Sequence, residues 1–443
     1  MIISMILSWR TDRKVLAFVI IGFVFAHQVL TQIAWNVDIP GLPFDLGPNR
    51  LVLFVLSLVL VGSIVAGISK PRVKNGERIP LFLILLYIFG IIISASAVYN
   101  YKRGRIQGNT LILIPSDVVL FILMYHVMKL KTTPSVLEAL LKAIMMLSLF
   151  MSALGVYQFL FDSSFLKVCA PRHAFARFIR STGVLGSEYE LGFFLNFAII
   201  VCLTRYWGKP MLFMTLPVLI TGLFTTFHRL NWVIFIVCLL CYVFIKKGIK
   251  GVGIWAFVFV MLAGLISMGY FTNGDWYKTL ADSKNVQAFS KQRLLEDTVS
   301  GRLHQFAITA DGISFRGLGL GSYENKAYYN LMAKHGFIKT DGEPLIVHNG
   351  YLGVGIKHGG LAMAVFCAFI CSMLIYFKKR ICLEKPLTVC PFFIALIWII
   401  ANMSQEITLF GLYFVLLVAI ICGSFVSLYD QAGKPVDPEG PEL

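Results

Sequence analysis

The sequence predicts an all-α integral membrane protein: a polytopic bundle of about twelve transmembrane helices with one long extracytoplasmic loop. Three observations carry this. Hydrophobic residues make up 58% of 443 positions and charged residues only 14%, where a soluble chain would carry about a quarter charged. Apolar runs of roughly 17 to 25 residues recur along the chain, each long enough to cross about 30 Å of hydrocarbon as a helix. The alternating segments of roughly ten residues that a membrane barrel needs are missing. In lipid the backbone must satisfy its own polar groups, so such runs are helices.

The runs predict helices over residues 15–34, 50–68, 80–98, 111–128, 136–160, 190–206, 211–227, 229–246, 252–270, 349–377, 389–405 and 407–428. Residues 1–270 thus form the first nine helices, 271–347 the long loop, 348–429 the last three helices, and 430–443 a proline-containing tail. The first run follows Arg10, Arg13 and Lys14 without a small-residue cleavage site, and reads as a retained helix. Cys238 and Cys241 have C-x-x-C spacing inside an apolar run, where packing is the default role.

Basic residues set the expected orientation. With the N-terminus in the cytoplasm, the inner loops hold Lys70, Arg72, Lys74 and Arg78, then Lys129 and Lys131, Arg205 and Lys209, Lys246, Lys247 and Lys250, and Lys378, Lys379, Arg380 and Lys385. Both termini are then cytoplasmic and the long loop is outside. Two short outer loops depart from the rule. Residues 99–110 carry Lys102, Arg103 and Arg105, and residues 161–189 carry Lys167, Arg172, Arg177 and Arg180 against Asp162 and Glu188. Lipid headgroups account for such charge, and so does a bound polyanion such as a lipid pyrophosphate. The net charge of +16 lies in loops between apolar runs, so the bilayer and anionic lipids are the expected partners, not nucleic acid.

Arg229 lies in Thr226-Phe227-His228-Arg229-Leu230, where two helices leave almost no loop. A guanidinium at that depth calls for a partner, and its planar fork suits phosphate oxygens, although a helix-end arginine can also snorkel. The long loop balances nine Lys/Arg against eight Asp/Glu. It contains Gly301-Arg302 and Arg316-Gly317-Leu318-Gly319, where glycines could curl N–H groups round an anion or form a plain turn. It ends at His348-Asn349-Gly350-Tyr351-Leu352, with Asn349 suited to cap the following helix. A neutral imidazole at such a helix start can take a proton from a sugar hydroxyl. The histidines show no metal-ligand spacing, and no G-x-S-x-G elbow is present.

Arg229, Gly301-Arg302, Gly317-Leu318-Gly319 and His348-Asn349-Gly350-Tyr351-Leu352, followed by Gly359-Gly360-Leu361, together resemble the O-antigen ligase and polymerase family of bacterial surface glycan assembly. The likeness is densest over residues 220–362. Departures are His228 and Leu230 flanking the first arginine, where the family often has Ser and Gly, and Phe306 where it usually has Trp.

The resemblance implies an inverting, metal-independent glycosyltransferase of the bacterial inner membrane that needs no cofactor and works on the periplasmic side. Its donor would be an undecaprenyl-pyrophosphate-linked oligosaccharide. Its acceptor would be a further lipid-linked glycan (polymerase, for O-antigen or exopolysaccharide) or the lipid A core (ligase). Catalysis would fall to His348, Arg229 and Arg302. Substrate binding would fall to Arg180, Arg177, Arg172, Asn349, Glu188 and Tyr189. A lipid-linked glycan transporter is the alternative of another class, though no internal symmetry supports it. Transfer of glycan to a protein would use the same pieces.

Overall fold

The computed structural model describes residues 80–104, 134–162, 165, 174–175, 178–183, 187–228, 230–248, 306–319, 326–336, 349–382, 385–404, 418, 421–426 and 428. The helices expected over 15–34, 50–68, 111–128 and 252–270 lie outside these residues, as does most of that over 407–428. The described elements, in chain order, are α1 (Leu81–Lys102), α2 (Pro134–Leu160), the strands β1 (Ala174–Phe175) and β2 (Phe178–Ile179), α3 (Glu188–Tyr206), α4 (Pro210–Thr225), α5 (Leu230–Gly248), α6 (306–311), α7 (Lys326–Lys334), α8 (Gly350–His358), α9 (Gly360–Lys378) and α10 (Cys390–Ser404). Among the described residues, five stretches are long and apolar enough to cross a membrane: Leu81–Lys102, Leu140–Leu160, Glu188–Tyr206, Leu230–Gly248 and Gly360–Lys378.

Local chemistry explains the helix ends. Ser187 caps α3 by accepting from the Glu190 amide, and Glu188 and Glu190 lie at the positive end of its dipole. Pro210 opens α4 at a position where its missing N–H costs nothing. At 16 residues α4 spans about 24 Å, less than the hydrocarbon thickness, so the turn after it is recessed relative to the ends of longer neighbours such as the 27-residue α2.

α1 and α9 pack antiparallel, whereas α2 and α4 run parallel. Along α1 and α9, Phe82 meets Phe377 and Phe89 meets Phe366, at centroid distances of 5.9 and 5.1 Å. Small residues bring α2 and α4 together: a Cβ on Gly222 would come within 2.6 Å of the Ser152 side chain. α3 is buried along most of its length, with α2, α4 and α10 against it. The bundle therefore has two ends. At one, Glu138 of α2 bonds Lys142 and Arg205, both at 2.9 Å, and Thr204 meets the Cys390 thiol. The Lys142 hydrogen bond, then Arg205, holds the Glu138 carboxyl below its ordinary range. The opposite end gathers the C-termini of α1, α2, α4 and α10 and the N-termini of α3, α5, α8 and α9.

Two sequence expectations change. The helix expected over 349–377 is two helices, broken at Gly359 (φ 98°, ψ 164°), a conformation only glycine adopts readily. The break answers its length, since an unbroken run over 349–377 would exceed the roughly 20 residues a crossing needs. The expected all-α class holds for the described bundle, with one minimal antiparallel hairpin in the loop 161–189, where Ala174 pairs with Ile179 and Phe175 with Phe178. Within 271–347, the described residues include α6 and α7, so that segment is not all loop.

Candidate functional site

The end that carries the candidate residues is built on two pinned segments. The first is Arg180-Ser181-Thr182-Gly183. One amide, Gln158 of α2, holds it with both its polar atoms. Its Oε1 accepts from the backbone N–H of Thr182 and Gly183 at 3.2 and 3.0 Å. Its Nε2 donates to the carbonyls of Phe165 and Gly183 at 2.8 and 3.1 Å. Ser181 adds two ties: its Oγ donates to Gly155 O at 2.6 Å and its N–H to Thr225 O at 3.1 Å. Buried backbone groups with no water to meet are thus satisfied by α2 and α4.

This clamp delivers Arg180 to the N-terminus of α3, where its Nη1 donates to Glu188 Oε1 at 2.9 Å; the side chains are 20% and 11% exposed. Glu188 is therefore engaged by an arginine of the same end. Its role here is to hold a guanidinium near the helix end. Tyr189 follows, its ring 6.2 Å from that of His228, and Phe193 stands 6.3 Å from the same imidazole.

His228 and Leu230 flank Arg229, which itself lies outside the described residues. The turn is tight. Phe227 adopts φ 47°, the one non-glycine residue with positive φ among the described residues. Asn231 locks the start of α5 to α3: its Nδ2 donates to Tyr189 O at 3.2 Å, and Asn196 Nδ2 donates to Asn231 O at 3.0 Å. The Asn231 side chain fills the space over Gly192, where any Cβ would overlap it. Residues 180–183, 188–189 and the turn around 228 are thus one connected unit, although the chain separates them by up to about fifty positions.

The second pinned segment is the strap 314–319, which includes Gly317-Leu318-Gly319. Its amides do not cradle an anion. Leu318 N–H donates to Ile356 O at 2.7 Å and Gly319 N–H to Lys357 O at 3.0 Å, while Gly360 N–H returns a bond to Ser314 O at 2.9 Å. The strap therefore takes up carbonyls left open where α8 ends and an amide left open where α9 begins. Both glycines are demanded by contact as well as by φ: a Cβ on Gly317 would overlap the Lys357 carbonyl, and one on Gly359 the Phe315 carbonyl. α1 fastens the other side, with Ser96 Oγ donating to Arg316 O at 3.1 Å.

α8 begins at Asn349, whose Oδ1 accepts from Leu352 N–H at 3.0 Å and whose Nδ2 donates to Met403 O at 3.0 Å. Both polar ends of this side chain serve the fold, so Asn349 positions the chain leaving residue 348. Tyr351 docks α8 on α10 through Ile399 O at 3.1 Å, and Gly350 lies against Asn402. Among the predicted site residues, Arg180, Glu188, Tyr189 and Asn349 all fall at this one end. Arg172, Arg177, Arg229, Arg302 and His348 lie outside the described residues. The residues that sequence reasoning missed are Gln158, Ser181 and Ser96; for Gln158 and Ser96 the signal was a polar side chain inside an apolar run, whereas Ser181 lies in the loop 161–189.

Residues 212–367 match the family model described as O-antigen ligase. That stretch is an O-antigen ligase-like domain by this similarity. This domain holds Arg229, Arg302, His348 and Asn349, and runs from α4 into α9. Arg180, Glu188 and Tyr189 precede it in sequence, yet Ser181 and Asn231 bond them to it. No curated protein matches the chain.

Proposed function

We propose that this protein is a membrane glycosyltransferase that takes glycan from an undecaprenyl pyrophosphate donor and extends a surface polysaccharide. It works on the periplasmic face of the bacterial inner membrane. The observation that supports this most is the Arg180–Glu188 pair, which Ser181 and Asn231 tie to the stretch matching the O-antigen ligase model. Cleavage of the donor leaves a pyrophosphate with at least two negative charges. Arg229, Arg302 and Arg180 would stabilise that charge as it develops, which is work a metal does in other enzymes. Glu188 orients the Arg180 guanidinium at the N-terminus of α3. His348, at the start of a capped helix, would deprotonate or orient the acceptor hydroxyl. Arg172 and Arg177 would hold the headgroup.

The description of the family model favours a second reading, in which the acceptor is the lipid A core and the enzyme is a ligase. Purified protein with lipid-linked repeat units, with and without lipid A core, separates the two: polymer on the carrier marks a polymerase, glycan on the core a ligase. His348→Ala and Arg229→Ala are expected to abolish transfer while leaving insertion intact. Normal product lengths from both variants would overturn the proposal. Gradient-driven uptake of lipid-linked glycan into proteoliposomes without any product would point instead to a transporter.

A further inference from the structure

A second basic cluster stands at the same end of the bundle, away from Arg180. Tyr99, near the end of α1, is flanked by two guanidiniums. The Arg103 carbon lies 5.0 Å and the Arg316 carbon 4.8 Å from its ring centroid, and Arg316 Nη1 donates to the Tyr99 hydroxyl at 2.8 Å. One arginine comes from the end of α1 and the other from the strap, 213 positions later. Among the described residues neither forms an ion pair. The aromatic ring holds the two cations without neutralising them, and most of their N–H donors remain directed elsewhere.

The surroundings say what kind of anion would arrive. α1 buries one face against α9 and exposes another: Ile84, Ile88, Ile91, Ala95 and Val98 form a stripe at helical spacing that ends at Lys102. In a 22-residue spanning helix that stripe faces acyl chains, and its last turn emerges at headgroup level. Tyr101 and Phe315 are exposed beside the arginines, as aromatics are at a membrane interface. A soluble anion would gain nothing from the apolar stripe, whereas a lipid would lie along it with its phosphate at the cluster.

We infer that Arg103, Tyr99 and Arg316 form a seat for the phosphate of an anionic membrane phospholipid, whose acyl chains run down the exposed face of α1. Occupancy would tie the strap to the bilayer through Arg316. The full-length protein, purified and presented with phosphatidylglycerol or phosphatidylcholine in mixed micelles, tests this by native mass spectrometry of retained lipid. Wild type should retain phosphatidylglycerol preferentially. Arg103→Ala, which leaves the strap untouched, should lower that retention about fivefold, as should Arg316→Ala. Lys142→Ala at the other end should leave it unchanged. Undiminished retention in Arg103→Ala, or equal retention of both lipids by wild type, overturns the inference. Displacement of the phosphatidylglycerol by millimolar inorganic pyrophosphate would also overturn it, by showing that the site reads a free anion.

Discussion

The two pinned segments at the Arg180 end are held by opposite means. Residues 180–183 are held by side chains, chiefly the single amide of Gln158, while the strap 314–319 is held by backbone bonds to the break between α8 and α9. A side-chain clamp specifies one position closely and fails with one substitution. A backbone latch tolerates most side chains but depends on the two places where a side chain cannot fit. Arg180 thus owes its place to Gln158, and the break between α8 and α9 owes its place to Gly317 and Gly359.

Substitutions can break this contrast at each point. The largest effect is expected from Gly359→Val, which adds about 1–3 kcal/mol of backbone strain to an overlap with the Phe315 carbonyl. Its membrane yield and thermal midpoint in detergent should collapse, and near-normal values would mean the latch is not needed. Gln158→Leu comes next. It strips partners from two buried N–H groups, at about 1–3 kcal/mol for each group left unsatisfied. Protection of the 180–183 amides in hydrogen exchange should fall, while that of the strap stays. The Arg180–Glu188 pair is half-buried, and a cycle of Arg180→Ala and Glu188→Gln should give a coupling of roughly 0.5–3 kcal/mol in thermal stability. Additive effects would mean that Glu188 does not hold the guanidinium. Ser96→Ala should cost least, about 1 kcal/mol, because the strap keeps its backbone bonds.

Much of the bundle was legible from hydropathy. The expected spans over 80–98, 136–160, 190–206 and 389–405 differ from α1, α2, α3 and α10 by a few residues, because an apolar run has to be a helix in lipid. Asn349 as a cap was legible too, since capping is a local property. The strap was not. Gly317-Leu318-Gly319 offered a turn or an anion cradle, and its true partner was a helix break some forty positions further on, which no local pattern encodes. The Arg180–Glu188 pairing was illegible for the same reason: the arginine arrives through a clamp made by a different helix. The residues proposed to carry the chemistry, Arg229, Arg302 and His348, were read from motif and family likeness and lie outside the described residues.

The strap also constrains the order of events as the chain is made. Its seat is assembled from Ser96, Ile356, Lys357 and Gly360, so residues 314–319 are synthesised before their own docking surface exists. Until residue 360 has left the ribosome, only Ser96 of that seat is in place. A chain truncated before Gly359 would leave it undocked, so the two halves of the bundle are joined by an act of late closure rather than by stepwise insertion.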